Sequence, residues 1–101
     1  MSALIQYPTN KQDESYVVPA NTSAIRIDAF YNCNNLVEVT LQKGITNIEA
    51  GVFYDCDNLK TITIPDTVTS IGNYVFYGSN ALETIHYKGE RAQWEALIDG
   101  V

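Results

Sequence analysis

All three phenylalanines of the chain fall at equal intervals, Phe30, Phe53 and Phe76, 23 residues apart. The same step relates Tyr31, Tyr54 and Tyr77; Cys33 and Cys56; Asn35 and Asn58; Leu36, Leu59 and Leu82; Val39, Ile62 and Ile85; and Leu41, Ile64 and Tyr87. Segments 30–52 and 53–75 are identical at nine of 23 positions, where unrelated segments share about one or two at ordinary amino-acid frequencies. Further upstream, Val18, Pro19 and Ile25 fall under Leu41, Gln42 and Ile48, so the repeat begins before residue 30 in a degenerate turn. A repeat this short constrains the fold strongly, because one unit cannot bury its own apolar side and must stack on its neighbours.

A period between about 20 and 29 residues is that of leucine-rich solenoids. Within one turn, Leu36-x-x-Val39-x-Leu41 sends apolar groups inward along a short strand, since residues two apart share a face. Glu38, Thr40 and Gln42 then point outward. Ile45-x-x-Ile48, with Val68-x-x-Ile71 beneath it, turns the chain back toward Ala50-Gly51-Val52-Phe53-Tyr54, a leg long enough for only a turn of three-per-turn helix. Asn34-Asn35 and Asp57-Asn58 fall at the corners, where Asn and Asp side chains satisfy turn amides.

The ends depart from the repeat, as ends must if they are to close the core. Leu4 to Pro8 and Tyr16 to Pro19 bracket the polar Thr9 to Ser15 and predict a pair of strands with a connection. Glu90 to Ile98 carries the one sustained helical pattern, with Trp94, Leu97 and Ile98 on one stripe, Arg91 and Glu95 able to pair, and Gly89 and Gly100 as punctuation. The expected organisation is one domain over 1–101: an N-terminal cap and degenerate turn at 1–29, turns at 30–52, 53–75 and 76–87, and a capping helix within 88–101.

Composition supports a single folded domain: 101 residues, 46% hydrophobic and 18% charged. No stretch approaches the roughly 18 apolar residues that cross a bilayer, and Met1 to Gln12 lacks the basic and apolar regions of an export signal. The net charge of -6, with no local Lys/Arg cluster, argues against nucleic acid and anionic membrane as partners.

Candidate chemistry is sparse. Cys33 and Cys56 stack one turn apart, which makes a disulfide geometrically possible, but free thiols filling a corner, with Ser79 as the third member, fit the same spacing. His86, the single histidine, aligns with Thr40 and Thr63 on the outward face, away from the cysteines, so a Cys-His nucleophile pair is not expected. Asp55-Cys56-Asp57-Asn58 lacks the glycine and terminal glutamate of a calcium loop and reads as turn capping. No phosphate loop, GxSxG, HExxH or CxxC is present, so neither catalysis, metal nor cofactor is expected.

What remains is surface. Tyr31, Tyr54 and Tyr77 form an aromatic column at one edge, suited to protein or sugar contact. The strand face supplies Val37, Lys60 and Glu83 in one column, Glu38, Thr61 and Thr84 in a second, and Thr40, Thr63 and His86 in a third.

The pattern Phe-Tyr-x-Cys-x-Asn-Leu-x-x-Val/Ile-x-Leu/Ile followed by Ile/Val-Thr-x-Ile resembles the BspA-like leucine-rich repeats of bacterial surface proteins, over about residues 16–87. The Tyr87-Lys-Gly-Glu-Arg-Ala-Gln-Trp segment is similar to the short helical tail that follows such arrays. The resemblance implies a right-handed α/β solenoid and a non-enzymatic adhesin-like module at the cell surface or secreted, with a protein or glycan partner such as a host matrix glycoprotein. Members of that family usually carry an export signal and longer arrays. A structural spacer or oligomerisation element without a ligand is the alternative.

Overall fold

A computed structural model describes residues 14–98 and the short strand Ser2–Leu4. The expectations for Ile5 to Pro8, for most of the Thr9 to Ser15 connection and for Gly100 lie outside the described residues. Eight strands and one helix follow in order: β1 (Ser2–Leu4), β2 (Ser15–Val17), β3 (Thr22–Ile25), β4 (Glu38–Thr40), β5 (Asn47–Ile48), β6 (Thr61–Ile64), β7 (Ser70–Ile71), β8 (Thr84–Tyr87) and α1 (Arg91–Ile98). They form two parallel four-stranded sheets, β1-β3-β5-β7 and β2-β4-β6-β8. The chain is therefore a solenoid of about three coils, each made of two strands and a third leg of turns.

The 23-residue step is the pairing register. Val39 lies beside Ile62 and Ile62 beside Ile85, while Ile25, Ile48 and Ile71 form the matching row of the second sheet. Tyr16 joins the first row beside Val39. Alternation decides the faces: in β6, Ile62 and Ile64 are buried while Thr61 and Thr63 are partly open. Three inward columns meet at the axis: the two strand rows and the phenylalanines, with Phe30, Phe53, Leu36, Leu59, Ile48 and Ile62 each fully buried. Phe30 stacks on Phe53 at 5.3 Å between ring centroids, and Phe53 on Phe76 at 6.1 Å. The main-chain carbonyls of Glu14, Val37 and Lys60 each accept two N–H groups from the following coil, which opens the strands of the β2-β4-β6-β8 sheet in step.

Two expectations change. Of the expected N-terminal strands, the one at Tyr16 is present as β2, whereas the one at Leu4 to Pro8 lies outside the described residues apart from Leu4; β1 and β2 do not pair with each other, β1 running parallel to β3 and β2 to β4, in different sheets. Tyr16 and Val18 carry the inward pattern of Val39 and Leu41, so partners one coil later satisfy both the backbone and the core. The third leg is likewise not helical. In the first coil Ala29, Tyr31 and Cys33 donate N–H to carbonyls three residues back, whereas Asp28, Phe30 and Asn32 donate to Ala50, Val52 and Tyr54 of the next coil. A helix would direct all of these bonds inward along itself. Left-handed residues at Asp28 (φ 58°) and Asn32 (φ 58°) break any helical run and turn alternate amides toward the neighbour.

The last coil is closed by α1. Trp94 and Leu97 pack on the core, Trp94 meets Tyr87 at 5.4 Å, and the Arg91–Glu95 pair forms at 3.3 Å. Ile98 is partly buried beside them. The Gln93 side-chain oxygen accepts the Glu90 N–H at 2.7 Å, half of a capping box that fixes where the helix starts.

Candidate functional site

The third leg presents the tyrosines because Phe30, Phe53 and Phe76 face the axis and the residue after each must face out. Tyr31 and Tyr54 stack at 5.4 Å with planes 13° apart, and Tyr54 and Tyr77 at 5.0 Å and 23°. The middle ring is covered on both faces. Tyr74 stands edge-on to Tyr77, at 6.0 Å and 84°, and is the most open aromatic residue among those described, with 65% of its surface exposed.

Flanking this column are two columns of left-handed backbone at the same spacing: Asp28, Gly51 and Tyr74 on one side, Asn32, Asp55 and Gly78 on the other, all with φ between 58° and 80°. A Cβ on Gly51 would overlap Asp28 Oδ1, and one on Gly78 would overlap Asp55 Oδ1. The two carboxylates thus occupy the space that glycine leaves beside the rings. Their effect is electrostatic as well as steric. The Tyr54 phenol is raised above its ordinary pKa, first by burial, then by the Asp55 carboxylate, by the phenols of Tyr77 and Tyr31, and by Asp28.

The strand face is also assembled as the spacing requires. Glu38, Thr61 and Thr84 are in register, as are Thr40, Thr63 and His86. Ser15 and Val17 extend these two columns by one member each. The tyrosines and the threonines, however, occupy successive legs of the coil, with the corner at 55–58 between them. A shallow depression lined by Glu14, Asn35, Val37, Asn58 and Lys60 lies at that corner. Asn58 Nδ2 donates to the Asn34 carbonyl at 2.6 Å, so the corner asparagine ties one coil to the one before it.

The cysteines are free and buried. Cys56 Sγ donates to the Phe30 carbonyl at 2.9 Å, and Ser79 Oγ donates to the Phe53 carbonyl one coil later. Burial pushes the Cys33 thiol up to about 11 and the Cys56 thiol up to about 12, far from a reactive thiolate at neutral pH. His86 lies on the strand face, apart from this corner. Among the described residues no group of three or more His, Cys, Asp or Glu is placed to hold a metal ion, and no helix is long and apolar enough to cross a membrane.

Sequence reasoning missed Tyr74, Asp28 and Asp55. A signal was present: Gly51 and Gly78 share their columns with Asp, Asn and Tyr, and a column that admits Gly alongside Asp or Asn marks a left-handed backbone position.

The sequence matches the model of the BspA type leucine rich repeat region, in six copies, over residues 9–94. Among solved structures, a leucine-rich repeat protein from Eubacterium ventriosum is similar over 83% of this chain, with a TM-score of 0.78 and 30% identity. A leucine rich cell surface protein from Faecalibacterium prausnitzii aligns over 91% of the chain at 22% identity, with a TM-score of 0.42. This chain covers 23% of the first of those proteins and 36% of the second. No curated protein matches it.

Proposed function

The chain belongs to the BspA-type leucine-rich repeat family, and from that premise we propose that it is a non-enzymatic binding module of a bacterial surface or secreted protein, recognising a protein or glycan through the outside of its coils. The observation that carries this reading is the exposed tyrosine column: three stacked phenols in register on a rigid repeat, with Tyr31 and Tyr77 among the most exposed large residues. Tyrosines held in this way contribute contact area with little further loss of side-chain freedom. The strand-face residues Glu38, Thr40, Thr61, Thr63, Thr84 and His86 offer a second, more polar surface on the adjoining leg.

The test is surface binding of the folded chain to a panel of matrix glycoproteins and glycans at physiological salt, beside a variant carrying Tyr31→Ser, Tyr54→Ser and Tyr77→Ser. Saturable binding that the triple variant loses supports the reading. Absence of binding across the panel by a chain with an intact circular-dichroism spectrum overturns it.

A spacer or stacking element is favoured by a different observation. Phe76, Leu82 and Ile85 of the last coil are only partly buried, whereas their counterparts Phe53, Leu59 and Ile62 are fully buried. A mass that rises with concentration would favour this second reading.

A further inference from the structure

The third leg differs from the rest of the surface in its charge. Segments 27–35, 50–58 and 73–81 contain three aspartates and not one Lys, Arg or His. The basic residue nearest to them in sequence, Arg26, is paired with Glu49 at 3.4 Å. Asp28 and Asp55, by contrast, engage in no hydrogen bond or ion pair through their carboxylates among the described residues, and both lie against the tyrosine column over Gly51 and Gly78. Two unneutralised carboxylates therefore flank a row of phenol oxygens that accept hydrogen bonds, on a chain whose net charge is already -6.

The stacking also limits the partner. A sugar platform needs an open ring face, and both faces of Tyr54 are taken by Tyr31 and Tyr77. The column offers ring edges and hydroxyls, over a length of about 10 Å, the reach of three residues of extended chain. Among the described aromatic residues Tyr74 is the most exposed, and it ends the column of left-handed positions that begins with Asp28; an exposed ring of this kind can take a planar cation on its face.

Resting on the reading that the chain is a binding module, we infer that the face built by Tyr31, Tyr54, Tyr77 and Tyr74 with Asp28 and Asp55 docks an extended, arginine- or lysine-bearing segment of a partner protein. Arginine suits it best, since a guanidinium takes a carboxylate through two parallel N–H bonds while its plane lies against an aromatic ring. After burial, which raises the Tyr54 phenol most, the Asp55 and Asp28 carboxylates raise it further, as groups close enough to act on a cation at this face.

The experiment titrates the full chain with a synthetic peptide of alternating arginine and serine, and with its glutamate–serine counterpart. The arginine peptide is expected to bind saturably and to weaken steeply with salt, because exposed charges are screened over about 8 Å at physiological ionic strength. Asp28→Asn combined with Asp55→Asn should lower the affinity about tenfold, the effect of two exposed ion pairs in the upper half of their range. Asparagine already holds the left-handed backbone at Asn32, so this variant keeps the fold. Asp66→Asn with Glu90→Gln removes the same charge from exposed positions outside both the tyrosine leg and the strand face, and should leave the affinity within about twofold if binding is local. Equal losses in the two double variants, or equal binding of the glutamate peptide, would overturn the inference. If the matrix-protein panel binds and the arginine peptide does not, this inference fails and the binding-module reading stands; if neither binds, both fail.

Discussion

Cys56 reaches across one coil to Phe30, its thiol donating to the phenylalanine carbonyl at 2.9 Å, and Ser79 repeats the contact with Phe53. The corner column is therefore a row of hydrogen-bond donors as well as of small side chains, which explains why a hydroxyl at Ser79 can stand where the coils before it carry thiols. The Phe30 carbonyl also accepts the Cys33 N–H at 3.2 Å, so the thiol supplies a second hydrogen bond, of a kind that contributes about 0.5–1.5 kcal/mol.

Replacing the thiol tests that role. Cys56→Ser keeps a donor of the kind Ser79 already provides and should change stability by less than about 1 kcal/mol, whereas Cys56→Ala should cost about 0.5–1.5 kcal/mol more than Cys56→Ser. Urea unfolding of the two variants checks it. Equal costs would mean that volume, not hydrogen bonding, selects the residue.

The same thiols make stability depend on alkaline pH. Their pKa values in the folded chain, about 11 for Cys33 and about 12 for Cys56, lie above the ordinary 9.0 that the unfolded chain adopts. The folded state thus holds these protons longer, so the thiols' contribution is complete below about pH 9 and is lost as pH rises toward 12. The urea midpoint should fall over that window in the native sequence. It should fall less in a Cys33→Ser, Cys56→Ser variant, and parallel curves would refute the assignment.

Glycine at 51 is demanded twice, by φ of 69° and by Asp28 Oδ1 lying where a Cβ would go. Gly51→Ala should cost about 1–2 kcal/mol from the left-handed backbone, with more from moving the carboxylate. In an Asp28→Ala background the second part disappears and the penalty should shrink. A thermal-melt double-mutant cycle with no coupling between the two sites would show that the carboxylate is not held there.

Burial grades along the solenoid, and truncations should follow it. Leu59 is fully buried and Leu82, its counterpart in the last coil, only partly so. Leu59→Ala should therefore cost about 2–5 kcal/mol and Leu82→Ala less, while Thr61→Ala, on the outward face, should stay within about 0.5 kcal/mol. Equal effects at Leu59 and Thr61 would place the strand in the wrong register.

Column membership was legible in the sequence, because stacking coils of constant length brings each residue over its counterpart 23 positions later. Periodicity therefore determined the inward phenylalanine and leucine rows, the outward threonines with His86, the tyrosine column and the stacking of the two cysteines, while leaving open whether their thiols are joined, which the structure answers as free. The helix from Arg91 with its Trp94 and Leu97 stripe was legible too, since a local pattern of period 3.6 needs no distant partner to be recognised.

Only the tertiary structure decided how those columns relate to one another. That β1 and β2 part into different sheets depends on which neighbour offers both hydrogen bonds and a matching apolar row, a choice made between coils and not within one. The left-handed columns arise because alternate amides of the third leg must bond to the next coil. Those same turns set Asp28 and Asp55 against the tyrosines and cover both faces of Tyr54. A repeat specifies what stacks on what; the closed faces, the carboxylates set beside the rings and the exposure of Tyr74 follow from packing, which one coil's sequence does not contain.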